Sequence, residues 1–140
     1  MDLKDKKLIK YEVAASIGAV NYVTSIVANG KEIIGDEPTS VGGQDKGFNP
    51  YELLASSLGM CTAATLKMYA DRKGLNLGKI DVKVELYHNV TDKISTFRKS
   101  ISFENKDIEE KHRKRLMVIA EACPVNRILS NQIVIETQLV

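Results

Sequence analysis

The sequence predicts an α+β fold with mostly antiparallel pairing, in the order β-β-β-α-β-β-α-α-β. Three observations carry it. Two runs rich in β-branched residues flank Asn29-Gly30, a pair that tolerates the positive φ of a tight hairpin turn. One long segment opens at Asn49-Pro50 and closes at Gly74 with the cap chemistry of a helix. Ile80 to His88 alternates apolar and polar residues, the period of a half-buried strand. Strands grouped at the start and a helix between two strand groups fit α+β better than a regular βαβ alternation. The chain has 140 residues, which suits one domain, 1–140, and leaves little room for a second.

The first third reads as a three-stranded antiparallel meander. Lys7 to Ala15 carries Leu8, Tyr11 and Val13 in loose alternation, and Val20 to Ala28 is rich in Val, Ile, Tyr and Thr. Lys31 to Ile34 is the third strand, joined to the second by Asn29-Gly30. Gly35 to Phe48 holds Pro38, Gly42, Gly43 and Gly47 without periodicity. That is a long ordered loop, and long loops in small domains often carry function.

Asn49 is an N-cap residue, Pro50 fits the first helical position, and Glu52 falls where a capping-box carboxylate reaches back to the N-cap N–H. The helix should run to about Lys73, with Gly74 as its C-cap. Leu54, Leu58, Cys61, Thr65 and Met68 recur at steps of four and three and share one face. Ala55, Ser56, Ser57, Gly59, Ala63 and Ala64 are small, so neighbours can approach this helix closely from several sides. Its apolar and small residues cover more than one small sheet could bury, which points to a second subunit.

After the strand Ile80–His88 and a turn near Asn89 to Lys93, Thr96 to Glu104 is a second, less regular strand. Asp107 and Glu110 have capping-box spacing ahead of a helix from Ile108 to about Ala122. His112, Leu116, Ile119 and Cys123 share one side of it. Pro124 disfavours helical geometry at Cys123 and can open a short further helix, Pro124 to Leu129, which leaves Cys123 at its N-cap. Gln132 to Val140 reads as a last strand, with Ile133, Ile135, Thr137 and Leu139 on one face.

Composition excludes several classes. Twenty Lys+Arg against 18 Asp+Glu give a net charge of +2, too close to neutral for a dedicated nucleic-acid binder. The one basic cluster, Lys111 to Arg115, follows Glu109 and Glu110 and reads as a solvated helix face. No run of apolar residues is long enough to span a membrane, and Met1 to Lys10 lacks the apolar core of a signal peptide. The expectation is a cytoplasmic protein with neither nucleic-acid nor membrane partner. Two cysteines in such a chain are no disulfide scaffold, and the spacing of the two His and two Cys suits no zinc site. No G-x-S-x-G, P-loop or dinucleotide fingerprint is present. His88 at a strand end and His112 on a charged turn suit solvated roles.

The cysteines admit two readings. Free cysteine often fills apolar space and is then inert. Alternatively, Cys123 at a helix N-terminus would be favoured as thiolate. If the inward faces of the two helices meet, Cys61 and Cys123 become a thiol pair able to form a sulfenic acid and then a disulfide.

Gly47-Phe48-Asn49-Pro50-Tyr51-Glu52-Leu53-Leu54-Ala55-Ser56-Ser57-Leu58-Gly59-Met60-Cys61-Thr62 resembles the first cysteine motif of the OsmC/Ohr family, the osmotically inducible and organic hydroperoxide resistance proteins. Ala120-Glu121-Ala122-Cys123-Pro124-Val125 resembles its second. The resemblance implies an OsmC-like fold in an intertwined homodimer, and a thiol peroxidase acting in oxidative stress defence. Cys61 would attack a hydroperoxide, organic or hydrogen peroxide, and Cys123 would resolve the product. A dithiol reductant, often lipoyl-linked, would restore the thiols, and no metal or organic cofactor is implied. Two departures mark this chain. Tyr51 stands where the peroxidase branches carry Glu, with Glu52 one position on. No Arg precedes Arg72 to hold the thiolate, so Lys31 and Lys46 are the candidate cations. The Pro-x-Glu-Leu-Leu form is similar to less characterised branches. The alternative is a dimeric OsmC-like protein that binds a small molecule without turnover.

Overall fold

The computed structural model describes residues 8–140. Three strands come first: β1 (Ala14–Ile17), β2 (Thr24–Ala28) and β3 (Lys31–Gly35). A 3₁₀ turn, Thr39–Val41, precedes α1 (Pro50–Lys73). Then follow β4 (Ile80–Asn89), β5 (Ile94–Phe103), α2 (Glu110–Glu121) and α3 (Pro124–Ser130). Contacts divide the chain into two compact units, with the boundary inside α1 after Leu53.

In the first unit β1, β2 and β3 form an antiparallel meander. The hairpin turns at Asn29 and Gly30, both at positive φ (49° and 73°), and Ala28 pairs with Lys31. The first two strands are shorter than the sequence suggests. Ile17 pairs with Thr24, so Gly18 to Val23 is consumed by the connection between them. Leu8 to Val13 joins no ladder, and Lys7 lies outside the described residues.

The loop after β3 is organised by one carboxylate. Asp36 is 3% exposed. Its Oδ1 accepts the N–H groups of Tyr22 (3.3 Å) and Glu37 (2.7 Å), and its Oδ2 those of Gln44 (3.2 Å) and Lys46 (3.1 Å). Burial opposes its charge, but the four N–H donors outweigh that and hold its pKa below the usual carboxylate value. The chain must fold back tightly to deliver these donors. A Cβ at Gly43 would lie 1.9 Å from the Glu37 carbonyl oxygen, and one at Gly47 2.1 Å from that of Ile34.

α1 is capped at both ends as its sequence dictates. The Glu52 N–H donates to Asn49 Oδ1 (2.8 Å), and the Asn49 N–H to Glu52 Oε1 (2.9 Å). At the other end Gly74 takes φ +67°, and the Gly74 and Leu75 N–H groups go to the Asp71 and Ala70 carbonyls. This is a Schellman ending.

In the second unit α1 lies on the β4–β5 hairpin. The pairing runs from Ile80↔Phe103 to Asn89↔Ile94. Gly59 marks the close approach, since a Cβ there would sit 3.3 Å from Val84 Cγ2. The core gathers Leu66, Tyr69 and Ala70 of α1, Leu77, and Leu116 and Ala120 of α2. Ile80, Ile101, Phe103 and Ile119 pack around it.

Three expectations change here. The buried stripe of α1 is Leu58, Thr62, Leu66, Tyr69 and Ala70, while Leu54 and Met68 are exposed. Two overlapping apolar stripes run along this helix, and the positions of the sheet and α2 choose between them. The Asp107–Glu110 capping box does not form. The Asp107 N–H donates to Asn105 Oδ1 (2.9 Å), and α2 starts later, with Glu109 at an N-cap that makes no side-chain bond. Gln132 to Val140 is exposed and joins no ladder among the described residues. Its alternation provides two faces, but a strand also needs an edge to pair with. No helix among the described residues is long and apolar enough to cross a membrane.

Candidate active site

Cys123 occupies the position its sequence context implies. Pro124 starts α3, Cys123 is the N-cap, and its Sγ accepts the Asn126 N–H at 3.4 Å. The side chain is fully buried, at 0% exposure. Cys61, in the fourth turn of α1, is partly buried, and its Sγ accepts the Val125 N–H at 3.5 Å. Successive backbone N–H groups of one helical turn thus reach the two sulfurs, and both cysteines are free thiols.

Three further residues complete the cluster. Thr62 Oγ1 lies 3.4 Å from Cys123 Sγ and 2.8 Å from the Leu58 carbonyl oxygen. Lys99 Nζ donates to Thr62 Oγ1 at 3.0 Å and to the Ala120 carbonyl at 2.8 Å. Burial pushes the Cys123 thiol pKa up. Hydrogen bonds from the Thr62 hydroxyl, the Asn126 N–H and the Cys61 thiol, with the Lys99 charge, outweigh this and bring it below the ordinary thiol value.

Lys99 was not among the candidates the sequence suggests. The available signal was the phase of β5. Phe97, Ile101 and Phe103 are its inward, partly buried residues, and Lys99 falls in step with them. A lysine on the apolar face of a strand needs a buried acceptor.

The other candidates are placed differently. Glu52 is held in its capping box. Tyr51 is 62% exposed. Lys31 Nζ donates to the Asn29 carbonyl at 3.2 Å. Lys46 contributes its backbone N–H to Asp36. His88 Nδ1 meets Ser95 Oγ across the β4–β5 ladder at 2.9 Å, and both residues are exposed.

Two pockets border the cluster. A polar one of about 230 Å³ is lined by Leu58, Ser95, Phe97, Lys99, Asn126 and Ser130. A mainly apolar one of about 670 Å³ is lined by Thr65, Met68, Tyr69, Ile119, Ala122 and Pro124, together with the charged Asp71 and Arg72. Thr65 lies one helical turn beyond Cys61, and Pro124 directly follows Cys123.

Fold and site together define an α+β protein with a dithiol centre between its long helix and its last short one. The chain belongs to the OsmC family: a family model described as OsmC-like protein matches residues 43–138. Solved structures share the fold at low identity. An OsmC-like protein from Mycoplasma pneumoniae is 23% identical, with TM-score 0.65, covering 90% of this chain and 89% of that one. A protein from Psychrobacter arcticus, named for osmotic stress induction and detoxification response, is 22% identical, with TM-score 0.72 and coverage of 90% and 91%. The organic hydroperoxide resistance protein OhrB of Bacillus subtilis is 21% identical, with TM-score 0.57 and coverage of 86% and 90%. No curated protein sequence matches the chain.

Proposed function

We propose that this protein is a thiol-dependent peroxidase that reduces organic hydroperoxides, and hydrogen peroxide as well, through Cys61 and Cys123. The observation that carries the reading is the meeting of both sulfurs on consecutive N–H groups, those of Val125 and Asn126. Cys61, the more accessible sulfur, attacks one peroxide oxygen as the thiolate. The O–O bond breaks, Cys61 becomes a sulfenic acid, and the departing alkoxide takes a proton to leave as alcohol. Cys123 thiolate then attacks the Cys61 sulfur. The S–S bond forms, the S–O bond breaks, and hydroxide leaves with a proton as water. A dithiol, lipoyl-linked or free, reduces the disulfide and becomes a disulfide itself. The apolar pocket beside Thr65 and Pro124 suits the organic part of the substrate.

The working unit in this reading is a cytoplasmic homodimer. Met60 and Met68 on α1, and Met117 and Val118 on α2, are each more than half exposed. Apolar side chains so placed on two helices suit a subunit interface.

A second reading, a dimeric binding protein without turnover, draws on one observation. The donors that stabilise a thiolate gather on buried Cys123 rather than on accessible Cys61. Turnover separates the two. The reduced protein is mixed with an alkyl hydroperoxide or hydrogen peroxide, with dihydrolipoate as reductant. Catalytic consumption that Cys61→Ser abolishes, and that Cys123→Ser limits to a single oxidation event, supports the peroxidase. A wild-type protein that consumes no peroxide with any dithiol overturns it.

A further inference from the structure

We propose that Lys99 is a positioning residue for Cys123, acting through the Thr62 hydroxyl to favour the thiolate that departs when the disulfide is reduced. The inference deepens the peroxidase reading and rests on it for its role in turnover. Its physical core, the control of Cys123 ionisation, can be tested without any peroxide.

The Thr62 hydroxyl has one proton and two lone pairs. Lys99 Nζ, 3.0 Å away, can only donate and so occupies a lone pair. The proton then has two acceptors in reach, the Leu58 carbonyl at 2.8 Å and Cys123 Sγ at 3.4 Å. With Cys123 neutral, its S–H can donate to Thr62 Oγ1 while the hydroxyl proton serves Leu58. With Cys123 ionised, the hydroxyl proton turns to the sulfur, which also keeps the Asn126 N–H. The ammonium, itself partly buried, polarises the hydroxyl in that second state and supplies positive charge beside the fully buried Thr62 and Cys123, where screening is weaker than at the surface. The Ala120 carbonyl, 2.8 Å from Nζ, anchors the lysine in place. Among the described residues, the titratable groups that act on Cys123 are Cys61 from α1 and Lys99 from β5, beside the neutral donors Thr62 and Asn126.

Access fixes the direction of regeneration. Cys123 is fully buried and Cys61 is not. The reductant thiolate therefore attacks Cys61 Sγ, the S–S bond breaks, and Cys123 leaves with the electron pair. A mixed disulfide joins Cys61 to the reductant. The second thiolate of the reductant displaces Cys61, closes its own disulfide and completes the two-electron transfer. A leaving thiol of lower pKa departs faster. Lys99 thus works on the departing sulfur, whereas the cation expected from the sequence would work on the attacking one.

The test compares Cys61→Ser with Cys61→Ser/Lys99→Met, and follows the Cys123 thiolate by its ultraviolet absorbance as pH is varied. The expected result is an upward shift of about one pKa unit, or about a tenfold loss of thiolate at a pH below both values. Lys99→Arg should restore most of it. Thr62→Val, which removes the hydroxyl and keeps the charge, should shift the titration the same way and serves if Lys99→Met fails to fold. In proteins with both cysteines, Lys99→Met should slow disulfide reduction by dihydrolipoate more than it slows oxidation by peroxide. An unmoved titration in folded variants, or equal slowing of both steps, overturns the proposal. Failure of wild-type turnover would sink the peroxidase reading while leaving the titration result intact.

Discussion

The backbone N–H of Val125 points at the sulfur of Cys61 across 3.5 Å, and so ties the start of α3 to the fourth turn of α1. Val125 lies two residues beyond Cys123, so this contact brings the second cysteine to the first. One equivalent of peroxide should therefore convert the protein to an intrachain Cys61–Cys123 disulfide, seen by non-reducing peptide mass spectrometry. The bond would close a loop of 62 residues (123 minus 61), for which chain entropy sets a limit of about 4 kcal/mol of added stability. Urea unfolding of oxidised and reduced protein measures it. A bond between subunits, or none, would remove the pairing on which the proposed chemistry depends.

Glu52 and Asn49 bind each other's N–H groups. That geometry predicts a structural role for Glu52. Asn49→Ala should lower stability by about 1 kcal/mol. Glu52→Ala should cost less, and the double variant should cost less than the sum because each partner's loss already breaks the box. Peroxide turnover per folded molecule should change little in Glu52→Gln. A large fall in turnover for that variant would mean that Glu52 reaches the reacting thiol, contrary to its placement.

The features legible in the sequence are those fixed by neighbours in the chain. Asn29-Gly30, the Asn49-Pro50-Tyr51-Glu52 start, Gly74 and the N-cap position of Cys123 each depend on a few adjacent residues, and each forms as its local chemistry dictates. What escaped depends on distant partners. The choice between two apolar stripes on α1 was made by β4, β5 and α2. Asn105 took the Asp107 N–H that a capping box required. Gln132 to Val140 has the alternation of a strand but no edge to pair with among the described residues. Lys99 became part of the site because the inward face of β5 carries it to Thr62 and Ala120, 37 and 21 residues away in sequence. A charged residue interrupting an apolar phase was visible, but its acceptors were not.

Asp36 collects four backbone N–H groups that no neutral side chain could satisfy equally. In Asp36→Asn one oxygen becomes an NH₂ group facing donors, so two bonds are lost and the loop from Glu37 to Lys46 loosens. The melting temperature should fall by about 5 °C at neutral pH. The pKa of Asp36 is depressed by these donors, so its stabilisation is complete above the unfolded carboxylate value, about 4, and is lost as pH falls through the folded value. The gap between wild type and variant should accordingly narrow under acid. Melting curves from neutral to acidic pH check this, and a constant gap would show that the charge of Asp36 contributes nothing.

Cys123 gives a linkage at the other end of the pH range. Its pKa is lowered in the folded protein: burial opposes ionisation, but Thr62, Asn126, Cys61 and Lys99 prevail. The unfolded chain keeps that proton until about pH 8.5. Between the two values the unfolded state binds more protons, so stability must rise with pH. The contribution is complete above the unfolded value and disappears as pH falls through the folded one. Reduced Cys61→Ser should therefore gain in urea midpoint as pH rises toward the unfolded thiol value, about 8.5, relative to Cys61→Ser/Cys123→Ser. A serine at the N-cap alters stability at every pH alike, so the slope is the readout and the offset is not. Adding Lys99→Met should flatten the slope. Parallel curves for the first two proteins would mean that Cys123 ionises no more readily in the fold than in the unfolded chain, and the leaving-group role would fall with it.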